Sequence, residues 1–159
     1  DIYDLVEAQS GKQVFSETHI LLKDREKLML SERKSTDKSE VFIIESLDSK
    51  VNIPLKLVFS KVVNIFETDS NCIFVDENKL KFPLTIRKWQ EGDYFYPAGM
   101  NGKKKLSKYF KDEKYSLLDK ENQWLLCSED QIVWVIGKRA DNRFIASETT
   151  QQIIKIDLA

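Results

Sequence analysis

The chain is poor in several residue types, and each shortage excludes a class of protein. With five glycines and three prolines among 159 residues, it has neither the composition of a fibrous protein nor that of a low-complexity chain. His19 is the only histidine, which effectively excludes histidine-based catalytic triads and multi-histidine metal sites. Cys72 and Cys127 lie far apart within apolar runs, so the sequence predicts buried free thiols rather than a CxxC metal site or a disulfide framework.

Long apolar runs and nucleotide-binding motifs are missing as well. No run approaches the roughly 18 residues that a membrane span needs, and the opening DIYDLVEAQSGK is too acidic for a signal peptide, so we expect a soluble, cytoplasmic protein. Neither GxGxxG nor GxxxxGK followed by Ser or Thr occurs. Asp93 in QEGDYF could be a general base, but Gly-Asp between two strand-like segments is more typical of a turn whose carboxylate bonds to the local backbone.

What the chain does contain is the composition of a folded domain, with its charge sorted along the sequence. Hydrophobic residues make up 42% and charged residues 32%, which predicts one domain, or one domain and a smaller piece. The net charge is -1, yet the stretch from Lys79 to Lys114 holds ten Lys or Arg against four Asp or Glu. A basic zone of this kind can attract a polyanion even within a slightly acidic chain.

The order of the apolar runs predicts an α+β fold with a mostly antiparallel or mixed sheet and a few short helices. Residues 2–8 have the spacing of a helix, and QVFS, HILLKD and KLMLSE have the pattern of strands. We assign residues 1–33 to a connector helix and strand pair belonging with a preceding domain, 34–40 to a polar linker, and 41–159 to a C-terminal domain. The start without Met suggests a piece of a longer polypeptide.

Two β-hairpins are predicted within residues 41–159. The first is CIFV-DENK-LKF, and the second is WLLCSEDQIVWVIG with its turn at Ser128 to Gln131. The strands of the second hairpin are almost continuously apolar, which predicts burial on both faces of the sheet.

The strongest functional signal is PAGMNGKKKLSKYFKDEK, residues 97–114. Leu106, Tyr109 and Phe110 recur at helical spacing, which predicts a helix with one packed face and one lysine-rich face. Lysines in the first turn of a helix oppose its dipole unless an anion binds there, and the preceding glycines let backbone amides approach a ligand. The alternative is that the lysines form a solvated face, as most charge runs do.

From FPLTIRKW to NRF, the sequence resembles the C-terminal domain of bacterial tRNA(Ile)-lysidine synthetases, and LVEAQSGKQVFSETHILLKDREKLMLSE looks like the connector of that family. The matching elements, in the order of the family pattern, are Pro83-Leu84, Arg87, Gly92-Asp93, Gly99 to Leu106, Lys114-Tyr115-Ser116, and Trp134 to Gly137 followed by Lys138, Arg139 and Arg143. Three features depart from the family. Tyr115-Ser116 stands where Ile-Pro is usual, and Leu118-Asp119-Lys120 replaces the usual acidic-Arg pair. The Ser-Gly-Gly-x-Asp-Ser phosphate loop of the catalytic domain does not occur.

The resemblance implies a part of an ATP-dependent ligase that holds the acceptor side of the isoleucine tRNA with a CAU anticodon. The separate N-terminal catalytic domain, a partner in the same polypeptide, would attach lysine to the wobble cytidine; ATP and Mg²⁺ would serve that domain and none is expected in this part. The candidate RNA-binding residues are Arg87, Gly99, Gly102, Lys103, Lys104, Lys105, Lys108, Arg139 and Arg143. Contacts to phosphate and 2′-OH groups suit such residues because the deep major groove of helical RNA resists side-chain readout.

Aromatic residues and two rival functions complete the expectations. Tyr94, Phe95, Tyr96, Tyr109 and Phe110 surround the basic zone. Their rings could stack on unpaired bases such as a tRNA 3′ end, although we expect Phe95 and Phe110 to belong to the core. One rival function is a protein-interaction or homodimerisation module without autonomous RNA binding, and the other is a small-molecule phosphate binder that uses the glycine turn.

Overall fold

A computed structural model describes residues 40–66 and 69–159 in full, together with the backbone of three earlier strands. These strands are β1 (Gln13–Phe15), β2 (His19–Asp24) and β3 (Lys27–Glu32), and they form an antiparallel sheet in the order β1-β2-β3. They confirm the predicted strand runs in this region. The predicted helix at residues 2–8 and most of the predicted linker lie outside the described residues.

The remaining strands form three antiparallel sheets. Their bounds are β4 (Val41–Ile44), β5 (Leu57–Val62), β6 (Cys72–Asp76), β7 (Leu84–Lys88), β8 (Tyr94–Phe95), β9 (Lys104–Lys105), β10 (Trp124–Ser128), β11 (Gln131–Val135), β12 (Arg139–Ala140) and β13 (Ile153–Leu158). A five-stranded sheet has the order β12-β11-β10-β7-β4, a three-stranded sheet has the order β5-β13-β6, and β8 pairs with β9. With two short helices among the strands, the arrangement confirms the predicted α+β fold.

Strands β10 and β11 of the five-stranded sheet are buried on both faces, as their apolar sequence predicts. Alternating residues of β10 point in opposite directions: Leu126 packs in the cluster shared with the three-stranded sheet, and Leu125 and Cys127 pack in the cluster on the other face. The register slips between Leu126 and Cys127, so that Val133 and Trp134 of β11 both face the first cluster, which is the effect of a β-bulge. Cys127 and Cys72 are buried free thiols, as predicted.

The second face of the sheet is covered by helix α1 (Leu106–Asp112). Leu106, Tyr109 and Phe110 are its buried residues, so the predicted packed face is confirmed. Its first amide, that of Leu106, donates to the Asp93 carbonyl oxygen at 2.9 Å. A second helix, α2 (Leu117–Asn122), was not predicted.

The signal for α2 was a capping box. The Ser116 hydroxyl accepts a hydrogen bond from the Asp119 amide at 3.1 Å, and the Asp119 carboxylate accepts one from the Ser116 amide at 2.8 Å. These two residues satisfy backbone groups at the start of the helix, which allows a helix of only six residues to form.

The predicted CIFV-DENK-LKF hairpin is wrong. Strand β6 pairs with β13 rather than with the residues that follow it. The linking residues Glu77–Lys79 form a 3-10 helix, capped where the Asp76 carboxylate accepts from the Asn78 amide at 3.0 Å. This turn carries the chain out of the three-stranded sheet and into β7 of the five-stranded sheet.

In the described part of the chain, no helix is long and apolar enough to cross a membrane.

Candidate functional site

The glycine-containing loop at residues 97–102 is held by side chains from the far end of the chain. The Arg139 guanidinium donates to the Ala98 carbonyl at 2.8 Å. The Asn142 side-chain amide donates to the carbonyls of Pro97 and Met100, at 3.1 and 3.0 Å. These contacts fix the loop in place although it has no regular secondary structure of its own.

Both loop glycines have a backbone conformation that other residues rarely adopt. Gly99 has a φ of 78° and Gly102 a φ of 84°, which confirms the conformational reason for expecting glycine here. An added Cβ at Gly102 would meet nothing within 4 Å, so the backbone at this glycine is open to a ligand. At Gly99 the nearest atom to such a Cβ is Nη1 of Arg139, at 3.9 Å.

The lysines after the loop precede the helix instead of forming its first turn. Lys104 and Lys105 form β9, in which Lys105 pairs with Tyr94 and Lys104 pairs with Phe95. Pairing with β8 keeps this segment extended, and the helix begins only at Leu106. The helix start therefore offers fewer free amides to an anion than expected, because the Leu106 amide already donates to the Asp93 carbonyl oxygen.

A groove of about 400 Å³ lies between the glycine loop and the start of α1. It is lined by Pro97, Met100, Asn101, Gly102, Lys103, Lys104, Lys105 and Lys108. The structure therefore brings five of the nine candidate RNA-binding residues to one concave surface. We call this surface the lysine groove.

One carboxylate neutralises part of the lysine groove. Asp112 accepts from Nζ of Lys104 at 2.5 Å and lies 3.7 Å from Nζ of Lys108. Both lysines, Lys104 first, hold the pKa of the Asp112 carboxyl below its usual range. Lys104 is only 17% exposed and Lys108 is 68% exposed, so the first is held closely and the second loosely. Lys103 and Lys105 form no ion pair with any residue that the structure describes.

Arg87 lies inside the domain rather than on the surface of the groove. Its guanidinium donates to both carboxylate oxygens of Asp93, at 2.9 and 3.0 Å, and its side chain is 14% exposed. Asp93 also accepts from the Gln90 amide at 2.7 Å, which confirms the predicted turn around Gly92-Asp93. Since the Asp93 carbonyl receives the first amide of α1, the pair connects β7 to the start of the helix.

Arg143 is also paired, with a buried carboxylate. Asp141 is fully buried and accepts from the Arg143 side chain at Nε and Nη2, at 3.1 and 2.9 Å. The same carboxylate accepts from the Tyr96 amide at 2.9 Å, so it ties β12 and the residue after it to the end of β8. The guanidinium carbon of Arg143 lies 4.5 Å from the centre of the Tyr96 ring, a cation–π contact.

The aromatic residues divide between core and surface. Phe95, Phe110 and Tyr109 are buried, which confirms the expectation for the two phenylalanines and places Tyr109 with them. Tyr96 is half-buried under Arg143, and Tyr94 is 40% exposed at the groove. Of the five rings, Tyr94 is the one left most open to a ligand.

The candidate residues thus form two groups. The lysine groove unites Gly102 with the four lysines, and Gly99 lies on the same loop, whereas Arg87, Arg139 and Arg143 each hydrogen-bond within the protein. Sequence reasoning missed Asp112 and Asn142. Asp112 follows Lys108 by one helical turn, which was a usable signal for that pair. The contact of Asp112 with Lys104 of β9 and the contacts of Asn142 with the glycine loop depend on the fold and gave no such signal.

The arrangement can bind an anion through cations and an open backbone, and it offers no paired acid and base. Among the residues that the structure describes, no group of three His, Cys, Asp or Glu could hold a metal ion. A glycine with an open backbone and two lysines without a carboxylate partner in the described part of the chain lie on one concave surface, and these are features of a site for phosphate groups.

Two family models match the sequence. Residues 1–33 match the model described as "TilS substrate binding domain", and residues 84–158 match the model described as "TilS substrate C-terminal domain". The second match includes β7 and the whole lysine groove.

Curated relatives match over almost the whole chain. The tRNA(Ile)-lysidine synthase of Parabacteroides distasonis is 42% identical over 161 residues, which cover 99% of this chain and 36% of the relative. The tRNA(Ile)-lysidine synthase of Bacteroides thetaiotaomicron is 38% identical over 159 residues, which cover 97% of this chain and 34% of the relative. The chain spans about a third of the length of these curated relatives.

A solved structure shares the fold. It is described as "Crystal structure of TILS C-terminal domain" and has a TM-score of 0.61, with 21% identity, over 74% of this chain and 95% of that chain. The two-sheet architecture with a helix on the outer face is therefore an experimentally known fold.

Proposed function

The chain belongs to the tRNA(Ile)-lysidine synthase family, as its C-terminal region, and from this we propose that it binds the tRNA substrate of the full enzyme. The part of the RNA that it holds is the acceptor side of the isoleucine tRNA with a CAU anticodon. A catalytic domain elsewhere in the same polypeptide uses ATP and Mg²⁺ to attach lysine to the wobble cytidine, in the cytoplasm. This region supplies no catalytic group and positions the substrate.

The observation that carries the proposal is the lysine groove. Lys103 and Lys105 are exposed and have no carboxylate partner in the described part of the chain, and they lie beside a glycine whose backbone is open. Cations without an internal partner are available to phosphate oxygens, and release of counterions from the RNA then favours binding. Phosphate contacts fix the position of the RNA without reading its sequence, which suits a region that holds a substrate for a separate catalytic domain.

The test is the affinity of this chain for the CAU-anticodon isoleucine tRNA over a series of salt concentrations. We expect the double substitution Lys103→Ala and Lys105→Ala to weaken binding and to lower the slope of log K against log salt by roughly 1.4 to 1.8, since each lost phosphate contact lowers it by roughly 0.7 to 0.9. The matched control is Lys50→Ala with Lys56→Ala, which removes the same charge from exposed lysines outside the groove.

Three outcomes decide between the candidates. An equal loss with the control pair would mean that the groove has no special role, and the net charge alone would account for binding. Absence of tRNA binding at low salt by the folded chain would overturn autonomous RNA binding. A selective loss for one RNA sequence would contradict phosphate contacts as the function of these lysines.

A homodimerisation module is the second candidate, and an exposed apolar strand favours it. β4 is an edge strand of the five-stranded sheet, and its outward residues Val41 and Ile43 are exposed. Unpaired strand edges with apolar side chains can pair with a second chain. A concentration-dependent mass in sedimentation, abolished by Ile43→Lys, together with no affinity for tRNA, would support this candidate over RNA binding.

A further inference from the structure

Tyr94 lies beside two lysines of the lysine groove, in a position that phosphate binding alone does not explain. It lies directly opposite Lys105 in the β8–β9 pair, and residues opposite each other on antiparallel strands have neighbouring side chains. Nζ of Lys103 lies 4.0 Å from the centre of the Tyr94 ring. The two lysines without a carboxylate partner in the described part of the chain are therefore both neighbours of one tyrosine.

The ring is exposed although its neighbours on the strand are not. Tyr94 is 40% exposed, while Phe95 is fully buried against α1 and Tyr96 is half-buried beneath the Arg143 guanidinium. The rings of Tyr94 and Tyr96 meet at 76° with their centres 6.3 Å apart, so the two rings are not stacked face to face. The guanidinium carbon of Arg143 lies 5.9 Å from the centre of the Tyr94 ring, farther than the Lys103 ammonium.

The support beneath Tyr94 is rigid. The Tyr96 amide is held by the buried Asp141 carboxylate, and the same carboxylate fixes Arg143 through its backbone amide at 2.7 Å and its guanidinium. The Tyr94 ring thus projects from a strand whose next residues are anchored to β12 and its flanking residues. An exposed ring on a fixed backbone loses little conformational entropy when a flat ligand covers it.

We infer that Tyr94 is a stacking platform for an unpaired nucleobase of the bound RNA. This inference rests on the proposed function, and it adds a single-stranded element to a site otherwise suited to phosphates. An exposed ring beside cations that have no carboxylate partner is an arrangement by which proteins bind single strands, with the base on the ring and the flanking phosphates on the cations. When the RNA binds, the Lys103 ammonium leaves the Tyr94 ring for a phosphate, and the base takes its place over the ring.

If the chain holds the acceptor side of the tRNA, the unpaired 3′ end is the single-stranded element that lies nearest to Tyr94. Double-helical RNA keeps its bases stacked on one another and offers no free face to a tyrosine. A base that stacks on Tyr94 therefore comes from beyond the last base pair. Lys105 would contact a phosphate of the same strand.

The experiment compares two RNA hairpins that share one duplex, with and without an unpaired four-nucleotide 3′ end. Binding of this chain to both hairpins is measured for the unsubstituted protein, Tyr94→Ala, Tyr94→Phe and Lys105→Ala. We expect Tyr94→Ala to lower the affinity for the hairpin with the unpaired end by about tenfold and to leave the blunt hairpin unchanged, since stacking is worth roughly 1 to 3 kcal/mol per base. Tyr94→Phe retains the ring and should retain the affinity.

A fluorescent base analogue separates stacking from loss of structure. With 2-aminopurine in the unpaired end, binding should quench its fluorescence for the unsubstituted chain and for Tyr94→Phe but not for Tyr94→Ala. Lys105→Ala should weaken binding of the hairpin with the unpaired end but leave the quenching in the saturated complex intact, because the Tyr94 ring remains. The stacking inference is overturned if Tyr94→Ala binds both hairpins as the unsubstituted chain does, or weakens both equally. If the unsubstituted chain binds neither hairpin nor the whole tRNA, the proposed function itself fails, and stacking fails with it.

Discussion

Replacing Arg87 by Met distinguishes a structural role from an RNA contact. The Arg87 guanidinium and the Asp93 carboxylate form a bidentate ion pair, and their side chains are 14% and 13% exposed. Arg87→Met retains the length and apolar stem of the side chain but leaves the carboxylate without its cation. We expect the free energy of unfolding to fall, and the intrinsic affinity of the folded chain for tRNA to stay the same.

The size of the loss follows from the burial of the pair. Removing one member of a buried ion pair costs roughly 3 to 5 kcal/mol, because the remaining charge is left desolvated and unpaired. Asp93 keeps one hydrogen bond, from the Gln90 amide, and both partners keep some solvent contact, so we expect the lower end, about 3 kcal/mol. With a urea dependence of about 1.5 kcal/mol per molar, the unfolding midpoint should fall by about 2 M.

The assay is urea unfolding of the two single variants, Arg87→Met and Asp93→Asn, and of the double variant. Asp93→Asn removes the charge and keeps an acceptor for the Gln90 amide, so the double variant should be destabilised by less than the sum of the single ones. Unchanged stability of Arg87→Met, with weaker tRNA binding and a lower salt slope, would refute this reasoning and make Arg87 a phosphate contact.

Two further predictions concern the other charged and titratable groups. Asp112→Asn should strengthen tRNA binding several-fold, because it releases Lys104 and Lys108 from their ion pairs. The slope of log K against log salt should rise by roughly 0.7 to 0.9 for each of these lysines that then contacts a phosphate. Unchanged binding would mean that these lysines do not contact the RNA. Burial raises the pKa of the Cys72 and Cys127 thiols from 9.0 to about 11, so the unfolded chain loses these protons first and stability should fall as the pH rises from 9 to 11. Urea unfolding over this pH range should show a shallower fall when both cysteines are replaced by Ala.

Local patterns in the sequence predicted the elements that local interactions determine. The spacing of Leu106, Tyr109 and Phe110 was sufficient for α1, and the apolar strands on either side of the turn at Ser128 were sufficient for the β10–β11 hairpin. The CIFV-DENK-LKF prediction failed because the partner of β6 is β13, which lies at the other end of the domain. No turn signal beside β6 could reveal a partner so distant in sequence.

The candidate site shows the same limit for charged groups. Composition identified the basic zone, and the glycines identified the loop, because both are properties of a continuous segment. Whether a given cation is available depends on carboxylates that the fold brings to it. Asp93 reaches Arg87 through a turn, and Asp112, at the end of α1, reaches Lys104 on the strand before that helix. Arg139 donates to the loop carbonyl of Ala98. Sequence alone could not separate these paired cations from the free ones.

The number of cations that are not held by internal carboxylates or carbonyls determines how strongly RNA binding should depend on salt. If all seven candidate lysines and arginines met phosphates, the slope of log K against log salt would be about 5 to 6. Of these seven, Lys103, Lys105 and the loosely held Lys108 form no short ion pair or hydrogen bond in the described part of the chain, and these three predict a slope of about 2 to 3. A slope near the higher value would mean that internal carboxylates yield their lysines and arginines to the RNA. The cations of the internal pairs would then bind RNA phosphates, and their role would not be limited to stabilising the fold around the groove.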